Sequence, residues 1–208
     1  MYEELRHWFR QTPLFDPYKT IAAPIEYFFW KLKGSPQPKM PHLVKQREIK
    51  EYARKFGLKV LIETGTNFGK MIQATKDAFR EVYSIELDEW KYKLATKKFE
   101  GDPNVHLLKG DSAKELPKLM ASISEPCLLW LDGHFWNYST PVKDELECLY
   151  QRPEEHVLLI DDARWFIGEN GYPTLAELTA EVERRYPGRI VEVRDDIIRI
   201  HKPRPAAG

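Results

Sequence analysis

Three aspartates and a histidine stand at two places where an apolar run stops. Leu131-Asp132-Gly133-His134 closes the run Leu128–Leu131, and Asp161-Asp162 follows the run Val157–Ile160. If both runs are strands lying side by side, three carboxylates come close to one another and to His134. Like charges about 4 Å apart repel by roughly 1 kcal/mol in water, and by more where water is excluded. Such a cluster needs a cation, a protonated carboxyl, or the nearby Arg164 as a partner. A divalent metal would resolve it, and an all-oxygen ligand set suits Mg²⁺. The alternative is that Asp132 and Asp162 cap helices while Asp161 pairs with Arg164.

A second group of residues reads as a nucleoside site. Lys59–Glu63 is an apolar run that meets the turn Glu63-Thr64-Gly65-Thr66-Asn67-Phe68-Gly69, where Gly65 and Gly69 let the backbone turn tightly and approach a ligand. An ordinary strand-to-helix turn would need the same glycines. The segment lacks the Lys-Ser/Thr ending of a phosphate-binding loop and departs from the dinucleotide fingerprint. Glu86 closes the next run seventeen residues after Gly69, a position from which an acid accepts bonds from both ribose hydroxyls. Gly110-Asp111-Ser112 closes the third, where a carboxylate could accept the amino group of adenine or serve a helix dipole instead.

The elements that position these residues alternate from residue 58 onward. Strands are expected at 59–63, 82–86, 105–108, 128–131 and 157–160. Helices are expected from the glycine turn to about Phe79, from about Asp88, from a Ser112/Glu115 capping-box pair, over 141–150, and from Thr174 with Glu177 to Pro187-Gly188. Ile190–Val193 and Ile197–Ile200 flank Asp195-Asp196, a two-residue connection suited to a hairpin. Alternation at this pitch implies an α/β fold of parallel strands with right-handed crossovers, and the hairpin adds an antiparallel strand at the edge. Ligands then bind beyond the carboxyl ends of the strands, where strand order reverses.

The N-terminal part reads differently. Residues 1–44 form a Pro- and aromatic-rich extension, residues 45–203 the α/β domain, and 204–208 a tail. The prolines at 13, 17, 24, 36, 38 and 41 argue against a long helix, leaving one short helix around Ile25–Lys33 closed by Gly34. Its aromatics, Tyr27-Phe28-Phe29-Trp30, are expected to pack on the domain. A homodimer contact, or a membrane-surface contact through residues 25–33 with Lys31 and Lys33, competes with that. A further helix is expected over 45–56, ended by Gly57.

Composition bounds the rest. The 208 residues carry 32 Lys+Arg against 32 Asp+Glu, which argues against a non-specific nucleic-acid partner, and no basic stripe interleaved with aromatics is present. Charge is uneven: residues 1–57 hold eleven Lys/Arg and six Asp/Glu. Cys127 and Cys148 share no ligand spacing and read as reduced thiols. With no apolar stretch near the roughly 20 residues of a membrane span and no signal peptide visible, a cytoplasmic location is expected.

From about Pro41 to Ile200 the chain resembles the class I, S-adenosylmethionine-dependent methyltransferases. It looks most like a bacterial family associated with surface-polysaccharide biosynthesis. The likeness lies in Pro41-His42-Leu43-Val44-Lys45-Gln46, Glu63-Thr64-Gly65-Thr66, Tyr83-Ser84-Ile85-Glu86-Leu87, Gly110-Asp111-Ser112, Trp130-Leu131-Asp132-Gly133-His134 and Leu159-Ile160-Asp161-Asp162-Ala163-Arg164. It implies a Rossmann-like, mostly parallel seven-stranded sheet. It also implies S-adenosylmethionine as cofactor, bound by Glu63, Thr64, Gly65, Thr66, Gly69, Glu86, Leu87, Asp111, Ser112 and Asp132. At the aspartates the chain is similar to metal-dependent sugar O-methyltransferases of macrolide and aminocoumarin pathways, which carry Asp-Gly-Asp and Asp-Asp there. Carried over, Asp132, Asp161 and Asp162 would bind Mg²⁺. His134 stands where the second Asp of that pattern is, and becomes the candidate catalytic base beside Asp132.

The expected reaction is methyl transfer to a hydroxyl of a sugar or other small molecule, with the acceptor oxygen aligned to an already activated methyl. An imidazole, titrating near neutrality, suits His134 to take the proton. Trp130, Phe135, Trp136 and Tyr138 could wall the acceptor pocket, while the strand position of Trp130 suits core packing equally. His42 and Lys45 could fold over the cofactor or simply start a helix. Two other readings stay open: a methyltransferase with an amine, phenol or protein acceptor, and a nucleoside-binding module without turnover.

Overall fold

The computed structural model describes residues 15–34, 40–135, 139–152 and 155–203, with side chains from residue 22 onward. Five apolar runs form parallel strands β1 (Val60–Thr64), β2 (Glu81–Glu86), β3 (Val105–Lys109), β4 (Leu128–Leu131) and β5 (Val157–Ile160). Every residue of β1, β4 and β5 is buried, because helices cover both faces of the sheet. Strands in that position carry continuous apolar sequence rather than alternation. With β6 (Ile190–Arg194) and β7 (Ile197–His201) the strands stand in the order β3-β2-β1-β4-β5-β7-β6. Strand order therefore reverses between β1 and β4, and the carboxyl ends of these two strands and their neighbours form the ligand edge.

The C-terminal hairpin joins the end of the parallel sheet, as expected. The antiparallel strand, β7, pairs with β5 and lies one place in from the edge, while β6 takes the edge itself. Its sequence explains this. All five residues of β7, Ile197-Ile198-Arg199-Ile200-His201, are buried, whereas Ile190, Arg194 and Val193 of β6 are exposed. The buried Arg199 is held by Glu48. Asp195 and Asp196 both have positive φ, 50° and 56°, as a two-residue hairpin loop of this hand requires.

Seven helices flank the sheet among the described residues: α1 (Phe15–Leu32), α2 (His42–Phe56), α3 (Lys70–Thr75), α4 (Glu89–Lys98), α5 (Ser112–Met120), α6 (Val142–Tyr150) and α7 (Leu175–Arg185). The expectation of only a short helix near residue 25 is corrected. Helix α1 begins ten residues earlier and runs through Pro24. A proline inside a helix removes one backbone bond; packing offsets that loss here, with Trp30 buried and the Arg47 guanidinium of α2 lying 4.4 Å from the centre of the Tyr27 ring. The cap of α5 also moves. Asp111, not Ser112, is its N-cap and accepts the Ala113 amide at 3.1 Å, while Ser112 becomes the buried first residue of the helix. The Thr174/Glu177 capping box on α7 is present as expected. Helix α3 stops at Thr75, and a single tight turn over Lys76–Ala78 completes that connection.

The core lies on both faces of the sheet. One side gathers Ile62, Leu129, Leu116, Leu146 and Val182; the other gathers Leu61, Trp130, Leu159, Ile49 and Phe99. Neither cysteine forms a disulfide. Among the described residues no helix is long and apolar enough to cross a membrane.

Candidate active site

The turn after β1 approaches the exit of β4. Gly65 has φ 87°, and a Cβ there would lie 2.6 Å from the carbonyl oxygen of Asp132, so only glycine fits between the two strand ends. The amides of Gly65 and Thr66 both donate to the Ile85 carbonyl, at 2.9 and 3.3 Å, which fixes the turn against β2. Behind it runs a buried chain of hydroxyls and a carboxyl. Thr66 Oγ1 lies 2.6 Å from Ser84 Oγ, which donates to Glu63 Oε2 at 2.6 Å. Burial pushes the Glu63 carboxyl up to about 8; the Ser84 bond opposes the rise and Glu86 adds to it.

Glu86 ends β2 with both carboxylate oxygens already oriented. Oε2 accepts the Asn67 amide at 2.7 Å and Oε1 the Asp88 amide at 2.8 Å. A carboxylate has about four acceptor positions, so two remain for a ligand's hydroxyls. Glu86 and Gly65, with Leu87, Gly110, Asp111, Ser112, Gly133, His134, Phe135 and Pro141 among the neighbours, line one open groove. A nucleoside fits this set: a held carboxylate for paired hydroxyls, glycines that leave room for a flat ring, and the half-exposed Leu87 beside it. Glu63, Thr64, Thr66 and Gly69, also expected to touch the cofactor, are not among the lining residues. The first three are buried, and Gly69 starts α3 at φ 64°.

Asp132 and Asp161 leave β4 and β5 side by side, as the sequence implied, but their charges are met by side chains from elsewhere. The Lys45 ammonium of α2 bonds Asp161. Arg164 pairs with Asp162 at 2.9 Å and with Asp196, not with Asp161. The Asp162 amide, on a left-handed residue at φ 57°, donates to Asp161 Oδ1 at 2.8 Å. Burial and the adjacent Asp161 push the Asp132 carboxyl well above the usual carboxylate range, with Lys45 opposing. Burial likewise raises Asp161 against the pull of Lys45. Burial alone would lower Lys45, but the three carboxylates together raise it, so it stays cationic.

The expected metal set of Asp132, Asp161 and Asp162 is not how the side chains stand. Asp161 is turned to Lys45. Instead Asp132, His134 and Asp162 bring one ligand atom each to within 4.8 Å of one another. That is a mixed nitrogen and oxygen donor set, which suits a transition metal better than Mg²⁺.

These residues line a pocket together with Thr140, Glu145 and Tyr172. Those last three were not anticipated. Glu145 carried a signal, since it sits on the buried stripe Val142–Leu146–Leu149 of α6, where an acid is out of place. Burial lifts its carboxyl to about 7, with the nearby Ser112 and Thr64 hydroxyls opposing. Trp130 is fully buried core, so it does not wall the pocket. Phe135 lines the groove, and Trp136 and Tyr138 lie outside the described residues. His42 is the first residue of α2 and bonds Gln46 at 2.8 Å, the helix-start role that the sequence leaves open beside that of cofactor cover.

Solved structures with this arrangement of strands include three of known chemistry. A methyltransferase of Podospora anserina bound to S-adenosylhomocysteine is 20% identical, with 88% of each chain covered and a TM-score of 0.57. The O-methyltransferase of Bacillus cereus in complex with the same product is 14% identical, covering 87% of this chain and 91% of that one, at 0.56. TomG of Streptomyces achromogenes, an O-methyltransferase of tomaymycin synthesis in complex with S-adenosylmethionine, is 13% identical, covering 88% and 90%, at 0.55. The chain has the methyltransferase fold. No family model matches its sequence, and no curated protein matches it either. At these identities the likeness is one of architecture, so the methyltransferase fold sets where a ligand binds and the side chains must argue the chemistry.

Proposed function

We propose that this chain is an S-adenosylmethionine-dependent methyltransferase acting on a hydroxyl of a sugar or related small molecule, in the cytoplasmic synthesis of surface polysaccharide. One observation carries the reading: the nucleoside groove and the acid pocket share Gly133 and His134 as a common wall. A ligand in each would meet at that point.

The cofactor would supply a methyl group already activated on a sulfonium. Glu86 would hold the ribose hydroxyls and Asp111 the adenine amino group, its cap bond to Ala113 keeping the carboxylate in place. The acceptor would lie in the pocket of Asp132, Asp162, Thr140 and Tyr172, where carboxyls and hydroxyls receive its other O–H groups. His134 is exposed at the shared wall and would take the proton from the attacking oxygen. Lys45 would keep Asp161 from competing for that proton.

A second reading is favoured by the closeness of Asp132, His134 and Asp162. These three would hold a divalent cation, which would lower the pKa of a bound hydroxyl and free His134 from the role of base. Chelator separates the two: turnover that survives it supports His134 as base, and turnover lost to it and restored by one metal supports the cation.

The test of the whole reading is calorimetric titration of S-adenosylmethionine and its demethylated product, followed by methyl transfer to a panel of nucleotide-linked and oligomeric sugars. Glu86→Ala should weaken cofactor binding at least about 100-fold, since two charge-assisted bonds of about 1.5–3 kcal/mol each are removed. Absence of binding by the unaltered chain would remove the proposal, and transfer to amines or phenols alone would move it to another acceptor class.

A further inference from the structure

Helix α1 has two opposed apolar faces. One is fixed to the domain, through buried Trp30 and through Tyr27, whose ring stacks on the Arg47 guanidinium and lies 6.0 Å from that of Trp30. On the other side Ile25, Phe28, Phe29 and Leu32 are 53%, 58%, 54% and 67% exposed. At 3.6 residues per turn this spacing gathers the four into an arc of about 100°, pointing away from Tyr27 and Trp30. Phe28 and Phe29 touch edge to face at 5.7 Å. Four large apolar side chains in one stripe are a patch, unlike the scattered apolar residues of an ordinary surface.

Charge indicates what meets the stripe. Residues 1–57 hold eleven Lys/Arg against six Asp/Glu in a chain of zero net charge, so this segment is net positive and the remainder net negative. Lys31, whose ammonium lies 5.0 Å from the Trp30 ring centre, and Lys33 flank the stripe. Two copies joined through it about a two-fold axis would set one basic segment against another. An anionic surface meets opposite charge instead.

We propose that α1 lies on an anionic lipid bilayer, with Ile25, Phe28, Phe29 and Leu32 inserted at the level of the upper acyl chains and Lys31 and Lys33 at the phosphates. The contact is peripheral. It is independent of the methyl-transfer reading, yet it is joined to the acid pocket, because α2 grips α1 through Arg47 and reaches Asp161 through Lys45, two residues earlier.

Co-sedimentation of the full chain with phosphatidylcholine vesicles, and with vesicles of phosphatidylcholine and phosphatidylglycerol in equal parts, tests this. The mixed vesicles should pellet the protein, less so as salt rises, and phosphatidylcholine alone should pellet much less. Phe28→Ser with Phe29→Ser should weaken the partition at least about tenfold, and Lys31→Glu with Lys33→Glu should abolish the preference for anionic lipid. All four positions are exposed, and circular dichroism would check that the variants stay folded. No pelleting on either lipid, or equal pelleting of the Phe variant, would overturn the proposal. So would a dimer in solution that the Phe variant splits, which would assign the stripe to a second copy of the chain.

Discussion

Replacing Glu63 by glutamine takes a buried ionisable group from behind the turn after β1 while keeping its shape and its bond from Ser84. The side chain is 2% exposed, and burial raises its pKa from 4.5 to about 8. Between those two values the folded chain keeps a proton that the unfolded chain has released. Stability contributed by the neutral carboxyl is therefore complete below pH 4.5, falls as pH rises toward 8, and is gone above it. An interval of about 3.5 corresponds to about 5 kcal/mol at 1.36 kcal/mol each, of which about 3 kcal/mol is lost between pH 6 and pH 8. Glutamine titrates nowhere. Urea unfolding of both proteins at intervals from about pH 6 to pH 9 should thus show the variant gaining on the parent by about 3 kcal/mol, with the gain levelling off above pH 8. Two unfolding series that keep a constant separation across this range would refute the burial of Glu63 in its neutral form, and with it the buried Thr66–Ser84–Glu63 chain.

Lys45→Met leaves Asp161 without its cation at a site where the carboxylate side chain is 2% exposed, and should destabilise the fold by about 3 kcal/mol in thermal or chemical unfolding, less at low pH where Asp161 is protonated. On the proposed function, His134→Ala should lower kcat about 10²–10⁴-fold with cofactor affinity unchanged in calorimetry, and near-full turnover at saturating acceptor would exclude His134 as base. Gly65→Ala meets both a positive φ and the Asp132 carbonyl at 2.6 Å. It should cost about 1–3 kcal/mol in unfolding and weaken cofactor binding, whereas the same change at exposed Gly188, which shares the positive φ but has open space around it, should carry the backbone strain and leave cofactor binding unchanged.

Much of the fold was legible because it is written locally. Strands β4 and β5 fall where the sequence placed them, since a parallel strand buried on both faces is a short unbroken apolar run. The α7 capping box and the Asp195-Asp196 hairpin were likewise readable, as each depends on residues within one turn of each other. The groove followed from topology: Gly65, Glu86, Leu87, Asp111 and Ser112 all sit at carboxyl ends of β1, β2 and β3, and the reversal of strand order brings those ends together. What the sequence could not separate was facing the groove from lying behind it. Glu63 stands one residue before the end of β1 and Glu86 ends β2, yet the first turns to Ser84 and the second to the groove, a matter of strand pleat and of which amides lie within reach. The length of α1 escaped for another reason. Proline rules are local, whereas the packing of Trp30 and Tyr27 on α2 is not.

The acid pocket shows the same division between near and far most clearly. Adjacent strand ends made it certain that Asp132 and Asp161 would be neighbours once β4 and β5 paired, and a repelling cluster of carboxylates had to find compensation. Three remedies were conceivable, a cation, a protonated carboxyl and an arginine, and the molecule uses all three at different members. Lys45 reaches Asp161 across 116 positions of sequence, Arg164 takes Asp162, and burial drives Asp132 toward its neutral form. Compensation by protein cations lowers the need for a bound metal. It also fixes the polarity of the pocket. With Lys45 and Arg164 already engaged, what faces an entering molecule is a set of carboxyl and hydroxyl oxygens and one imidazole, the lining that the proposed acceptor would meet.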